Sequence, residues 1–315
     1  MKGIISFLRL IRVVNLLYIA LTQWLVQYTI IRPILAQAGV ETTLDVLHFS
    51  LLMLSTVLIA AGGYVINDYF DVKIDAVNKP RRIFIDRTIK RRSAMLLHQF
   101  LSGAGIMLGF YVAWKAGNVR LGFIHPIVAA LLWFYSTGYK RQLLIGNVII
   151  SLLTALVILI VALYEQHLFK PENAAVNAAA YSIFIIVFFY FLFAFLISMM
   201  REIVKDMEDV EGDRRYGCKT LPVVIGINRS KWLVFAIAVL MTAFLVYLQL
   251  RQAQGGDFIS VLNVFTMLEL PLCLAMYLLY KADAQKQFSL VSSVIKIIML
   301  MGILMMVYFY YLMGH

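Results

Sequence analysis

Residues 46–75 read VLHFSLLMLSTVLIAAGGYVINDYFDVKID. The first part, 46–66, carries no Asp, Glu, Lys or Arg, and about 20 such residues are what an α-helix needs to cross a bilayer. An α-helix is required because a lone segment in hydrocarbon must pair its own backbone groups. The charges begin abruptly at Asn67-Asp68 and continue through Asp71 and Asp75. On a continuing helix the positions i, i+3 and i+7 share one face. This segment therefore predicts a membrane-crossing helix that emerges as a stripe of three carboxylates.

The rest of the chain is of the same kind. It has 315 residues, 62% hydrophobic and only 14% charged, with mean hydropathy +0.85, against roughly 25% charged in a soluble domain. Disorder, collagen and coiled coil are excluded by the same figures, and two cysteines, Cys218 and Cys273, cannot make a disulfide framework. Nine apolar runs qualify as spans: 13–31, 46–66, 94–114, 121–139, 142–164, 179–200, 232–250, 258–280 and 287–313. The first is too long for a signal-peptide core of about 7–15 residues. The expected fold is all-α: a polytopic membrane protein with nine transmembrane helices in a bundle. It is read as a single membrane-embedded domain, 1–315, with cytoplasmic cap loops at 67–93 and 201–231. Neither loop is long enough to hold a separate hydrophobic core.

Positive charge sets the orientation. With the N-terminus inside, 22 of the 28 Lys and Arg lie on the inner side and five on the outer: Arg32, Lys115, Arg120, Lys170 and Arg251. Acidic residues divide 11 to 5, so the whole net charge of +11 is cytoplasmic. The expected localisation is integral membrane, multi-pass, with N-terminus and active-site loops cytoplasmic and C-terminus outside. A nucleic-acid partner is not needed to explain the basicity.

Residues 201–213, REIVKDMEDVEGD, carry a second stripe. Asp206, Asp209 and Asp213 repeat the D-x-x-D-x-x-x-D spacing of Asp68, Asp71 and Asp75, and Glu202 extends the face by one turn. Both segments leave even-numbered spans on the same side, so a pseudo-repeat of four helices would bring the stripes together. Carboxylates so aligned repel one another beside anionic lipid. Divalent metal relieves that, and Mg²⁺ takes one or two carboxylates plus water and substrate phosphate oxygens. Cations for such a phosphate follow each stripe: Lys79, Arg81 and Arg82 after the first, Arg214, Arg215 and Lys219 after the second. Lys140 and Arg141 sit in a gap between spans too short to leave the membrane surface. Arg suits bidentate phosphate contacts and Lys acts as a point charge.

These residues resemble the UbiA superfamily of intramembrane prenyltransferases. Asn67 to Asp75 is similar to its N-D-x-x-D-x-x-x-D motif, Asp209-x-x-x-Asp213 to its second aspartate motif, and Tyr135-Ser136 with Lys140-Arg141 to its Y-x-x-x-x-K-R segment. Residues 201–213 with Gly217-Cys218-Lys219-Thr220-Leu221-Pro222 look most like the branch that makes digeranylgeranylglyceryl phosphate. Where the family reads N-K-P-x-R-P this chain has Asn78-Lys79-Pro80-Arg81-Arg82-Ile83, and the second proline is lost.

The resemblance implies a Mg²⁺-dependent prenyltransferase with a lipid-accessible central cavity for the isoprenoid tail. The metal ligands would be Asn67, Asp68, Asp71, Asp75, Asp206, Asp209 and Asp213. Lys140 and Arg141, with Asp71 and Asp209, would carry catalysis by stabilising the departing diphosphate. Asn67, Lys79, Arg81, Arg82, Arg201, Lys205 and Lys219 would bind substrate. Tyr135 and Tyr139, with Tyr64, Tyr69 and Phe70, would wall the allylic cation. Arg12, Asn15 and Asn147 would reach the acceptor. The partners implied are an isoprenyl diphosphate donor, a small lipid-like or aromatic acceptor, and membrane lipid. The favoured acceptor is geranylgeranylglyceryl phosphate; an aromatic quinone precursor stands as the alternative, and an ion-coupled transporter as a reading from another class. The five histidines show no metal-ligand spacing. Gly105-x-x-x-Gly109 reads as a packing face, and Glu269 with Lys296 as a structural pair inside the membrane.

Overall fold

The protein is described by a computed structural model covering residues 2–78, 84–86, 88–312 and 314. A short helix, α1 (Lys2–Leu10), precedes the first span. Among the described residues nine helices are long and apolar enough to cross a membrane: α2 (Val13–Gln37), α3 (Val46–Asn78), α4 (Arg91–Lys115), α5 (Val119–Thr137), α6 (Ile145–Leu163), α7 (Ala174–Arg215), α8 (Ile227–Gln254), α9 (Phe258–Lys281) and α10 (Gln285–Leu312). They correspond one for one to the nine apolar runs, and the described residues contain no strand beyond a single bridge between Ile85 and Ile89. The all-α polytopic fold is the observed one.

Two spans outrun the bilayer. At 1.5 Å per residue, α3 with 33 residues is about 50 Å long and α7 with 42 about 63 Å, against a hydrocarbon core of about 30 Å. The excess of each is its acidic stretch. Residues 67–78 and 201–215 are thus helical continuations of the spans, which makes each stripe a rigid extension with a fixed face.

The chain forms two compact units, Met1–Lys140 with Ala155–Phe191 and Phe309–His315, and Arg141–Thr154 with Leu192–Tyr308. In the first, α3 and α4 approach closely at Gly105. A Cβ there would stand 2.6 Å from Cγ1 of Ile59 and 2.9 Å from the carbonyl oxygen of Ser55, so only glycine fits. Polar groups buried beside it satisfy one another: the Ser55 hydroxyl donates to the Gly105 carbonyl at 2.6 Å and lies 2.9 Å from Nδ1 of His125, whose Nε2 is 2.9 Å from the Tyr164 hydroxyl. Where no water reaches, such internal pairing is what makes a buried imidazole tolerable. His125 is a packed core histidine.

In the second unit Met200, Ile203, Val204 and Met207 on α7 pack in one core with Val234 and Met241 of α8, Leu272 and Ala275 of α9, and Val291 and Ile295 of α10. Buried Lys231 ties helix ends together, donating to the Tyr280 carbonyl and to Asp283, each at 3.3 Å. Glu269 ends a π-helical turn, Phe265–Glu269, and accepts from Nε2 of Gln249 at 3.4 Å. Its hydrogen bond is therefore to an amide of α8, where a lysine of α10 had been expected.

Candidate active site

In the first unit the emergent end of α3 presents Asn67, Asp68 and Asp71 within two turns, and each is engaged by a cation or an amide. Nζ of Lys140 donates to Oδ1 of Asp71 at 2.5 Å and to Oδ1 of Asn67 at 3.2 Å. Nδ2 of Asn67 in turn donates to Oδ2 of Asp71 at 2.9 Å. One ammonium is thus held by two oxygens from adjacent turns of α3. The Lys140 and Asp71 side chains are 11% and 16% exposed, so this pair is largely removed from water. Lys140 can reach because α5 stops at Thr137 and a single 3-10 turn, Tyr139–Arg141, follows. The short gap keeps the chain against the end of α3.

Asp68, about one turn nearer the bilayer than Asp71 and two nearer than Asp75, is met from another direction. Arg12 donates from Nη2 to Oδ1 of Asp68 at 2.7 Å, and its guanidinium lies 4.9 Å from the centre of the Tyr64 ring. Asp68 opposes burial of that charge, with Tyr64 and Asp75 adding to it, and the Arg12 pKa lies above its ordinary value even though burial alone would lower it. Arg12 sits at the break between α1 and α2 with φ of 52°, a left-handed conformation that costs a non-glycine residue of order 1–3 kcal/mol. The kink delivers the guanidinium to Asp68. Asn15, three residues on, donates its backbone N–H to the Arg12 carbonyl at 2.8 Å and stabilises that turn.

The aromatic residues near this end form a chain. Tyr69 meets Phe70 edge-on at 5.2 Å between centroids, and Phe70 meets Trp133 the same way at 5.9 Å. Tyr139 packs on Phe134 at 6.2 Å, and Tyr135 is half-buried on α5. Arg91 lies 4.9 Å from the Tyr69 ring, donates to the Tyr69 carbonyl at 3.2 Å and stands 3.7 Å from Asp86. It ties the start of α4 to the stripe.

The second unit repeats the pattern with different chemistry. Nδ2 of Asn147, at the start of α6, donates to Oδ2 of Asp206 at 2.8 Å, just as Arg12 before α2 donates to Asp68. Glu202 takes Lys205 at 2.8 Å and Arg201 at 3.3 Å. Asp213 is buried and accepts from the Thr220 hydroxyl at 3.0 Å. The turn after α7 is closed by the Cys218 N–H on the Asp213 carbonyl at 2.9 Å and the Lys219 N–H on the Arg141 carbonyl at 2.8 Å. The side chains of Arg141 and Lys219 are exposed.

The structure thus brings Asn67, Asp71 and Lys140 to one point, joins Arg12 to Asp68 and Asn147 to Asp206, and sets Arg201 and Lys205 on Glu202. Lys79, Arg81 and Arg82 lie outside the described residues. Sequence reasoning passed over Arg91, Trp133 and Thr220 as site residues. Thr220 lay within the Gly217–Pro222 segment that carries the resemblance, and Arg91, a basic residue near a stripe, was outweighed by the general excess of inner-face cations. No three His, Cys, Asp or Glu side chains among the described residues converge as a protein-only metal cage. Mg²⁺ does not demand one. The Asn67 and Asp71 oxygens already surround a cation, and that donor set fits a hard divalent ion completed by water and phosphate oxygens.

Against known proteins, the chain is 32% identical over 253 residues to digeranylgeranylglyceryl phosphate synthase of Methanothermobacter thermautotrophicus, covering 78% of this chain and 79% of that one. A solved structure concerning digeranylgeranylglyceryl phosphate synthase in membranes superposes with a TM-score of 0.64 at 27% identity, over 98% of this chain and 99% of that one. The fold is also shared with a UbiA homolog from Archaeoglobus fulgidus bound to GPP and Mg²⁺, at TM-score 0.56 and 14% identity, over 94% of this chain and 98% of that one. The model of the UbiA prenyltransferase family matches residues 28–288. This match takes in both acidic stripes and Lys140, and the chain belongs to the UbiA prenyltransferase family.

Proposed function

We propose that this enzyme transfers a geranylgeranyl group from its diphosphate to the hydroxyl of geranylgeranylglyceryl phosphate, with Mg²⁺ as cofactor. One observation carries the chemistry: two oxygen donors and an ammonium meet at the emergent end of α3, where an anionic leaving group and its counterions can be assembled. The acceptor is supported by relatives of at least 30% identity named for the product digeranylgeranylglyceryl phosphate. Membership in a prenyltransferase family decides against ion-coupled transport.

Mg²⁺ bound at the first stripe would be held by Asn67, Asp71 and Asp75, Mg²⁺ bound at the second by Asp209 and Asp213, and either would neutralise phosphate charge. The chain's own residues do the rest. The C–O bond of the allylic diphosphate breaks with its electron pair leaving on the diphosphate, and Lys140 donates to that oxygen as its charge grows. Tyr64, Tyr69, Phe70 and Tyr139 offer ring faces worth roughly 0.5–2 kcal/mol each to the allylic cation. The acceptor hydroxyl oxygen bonds to that carbon, and its proton leaves with the released diphosphate. Asp68 and Asp206, each held by a residue of another helix, position the stripes. We further propose that both stripes lie on the cytoplasmic side, on the strength of the basic excess there.

The test offers purified protein geranylgeranyl diphosphate with either geranylgeranylglyceryl phosphate or an aromatic quinone precursor, with Mg²⁺ or EDTA. The ether lipid should form only in the first mixture and only with metal. Prenylation of the aromatic compound instead would overturn the acceptor, and turnover in EDTA would overturn the metal.

A further inference from the structure

Lys140 occupies a position that the stripe otherwise offers to metal. Its Nζ is 2.5 Å from Asp71 and 3.2 Å from Asn67, and a divalent ion taking the same two oxygens would stand where the ammonium now stands. The two cannot share it, because like charges at such separation in a largely dry site repel strongly. Asp68, the carboxylate one turn earlier, is already taken by Arg12 at 2.7 Å. Leaving Asp71 without a replacement anion would strand a mostly buried ammonium, an unfavourable state. Of the anions that arrive with the reaction, the donor's diphosphate is the one that carries the leaving oxygen assigned to Lys140.

We infer that Lys140 is the resident counterion of the Asn67–Asp71 cation position, and that metal enters there only as diphosphate draws the ammonium away. The inference rests on the reading of these residues as metal ligands and adds a binding order to it. Free Mg²⁺ binds this position weakly, and metal and diphosphate bind with strong mutual reinforcement. The lysine passes from the carboxylate to the leaving group in the same event. A site so arranged is neutral when empty of substrate and does not assemble its electrostatic machinery on metal alone. Such coupling is reciprocal: diphosphate must tighten metal by the same factor as metal tightens diphosphate.

The experiment uses the full-length protein in detergent micelles and Mn²⁺ as an electron paramagnetic resonance probe, in an Asp209→Asn background that weakens the second stripe. Mn²⁺ affinity is measured with and without methylenediphosphonate, in otherwise wild-type protein and in Lys140→Met, where the side chain keeps its bulk and loses its charge. The expected result is a Mn²⁺ affinity at least tenfold higher in Lys140→Met than in the parent when diphosphonate is absent, with a correspondingly smaller effect of diphosphonate. Lys140→Arg should behave as the parent does. Equal or weaker Mn²⁺ binding by Lys140→Met would overturn the counterion role while leaving metal dependence intact. Absence of Mn²⁺ binding in every variant, with diphosphonate present, would remove the metal reading itself and this inference with it. If Lys140→Met does not fold, Lys140→Gln replaces it under the same criteria.

Discussion

At the scale of the single residue, pairing changes what a substitution does. Three carboxylates on one helical face suggest that removing one relieves repulsion and leaves stability unharmed. The structure overturns this for Asp71, which is the partner of Lys140 with both side chains mostly buried. Asp71→Ala should therefore lose turnover and also lower the thermal midpoint in detergent. A loss of about 1–3 kcal/mol is expected, below the 3–5 typical of a fully buried pair because some solvent reaches this one. Asp71→Asn keeps an oxygen for the ammonium and should be equally inactive but more stable than Asp71→Ala. Unfolding curves and prenyl-transfer assays on the two variants decide it; an Asp71→Ala protein as stable as wild type would mean that Lys140 finds another partner at no cost. The spacing of Asp68, Asp71 and Asp75 was legible from the chain alone because helical periodicity is local. Which cation meets which carboxylate was not, since Arg12 and Lys140 come from parts of the chain distant in sequence, and nothing local records the left-handed turn that aims Arg12.

At the scale of the element, nine spans could be read from apolar length, and the helical phase of both stripes followed from their spacing. Sequence placed the span ends at hydropathy boundaries, whereas α3 and α7 continue through their charged stretches to Asn78 and Arg215. Hydropathy marks where lipid ends, and helix propensity and hydrogen bonding mark where the helix ends. The two units also show a correspondence that spacing alone could not reveal. The residue preceding or opening α2 and α6, Arg12 or Asn147, holds the first aspartate of the stripe in its own unit. The third position after it in the first unit, Asp71, takes Lys140, and the seventh in the second, Asp213, takes Thr220. The α3–α4 contact that supports the first stripe depends on Gly105, and Gly105→Ala should lower the thermal midpoint by the equivalent of about 1–3 kcal/mol, the usual cost of overpacking. The obstruction is partly backbone, the Ser55 carbonyl 2.9 Å away, which a rotamer change cannot relieve. Gly103, on the same helix with open space around its Cβ position, is the control: Gly103→Ala should be neutral or stabilising. Equal midpoints for the two variants would show that α3 and α4 can separate freely.

At the scale of the whole molecule, the distribution of charge makes a statement that no single residue makes. If every span crosses, all the net charge of +11 falls on the side where the stripes emerge, and translocation disfavours moving Lys and Arg across the bilayer while treating Asp and Glu almost indifferently. The acidic stripes therefore do not weaken the orientation signal, although they lie amid it. The consequence is checked with cysteines placed in exposed positions on either side, in a protein whose Cys218 and Cys273 are replaced by serine. Lys170→Cys, between α6 and α7, should react with a membrane-impermeant maleimide in intact cells. Lys286→Cys, in the first turn of α10, should react only after permeabilisation, as should Lys73→Cys beyond the apolar part of α3. All three side chains are exposed, so a failure to label reports sidedness rather than burial. The reverse pattern would put the stripes on the outer face and break the link between basic excess and orientation. Labelling of both Lys170→Cys and Lys286→Cys in intact cells would be a different failure, because three spans separate the two positions and lying on one side requires an even number of crossings between them, so at least one of α7, α8 and α9 would then not cross.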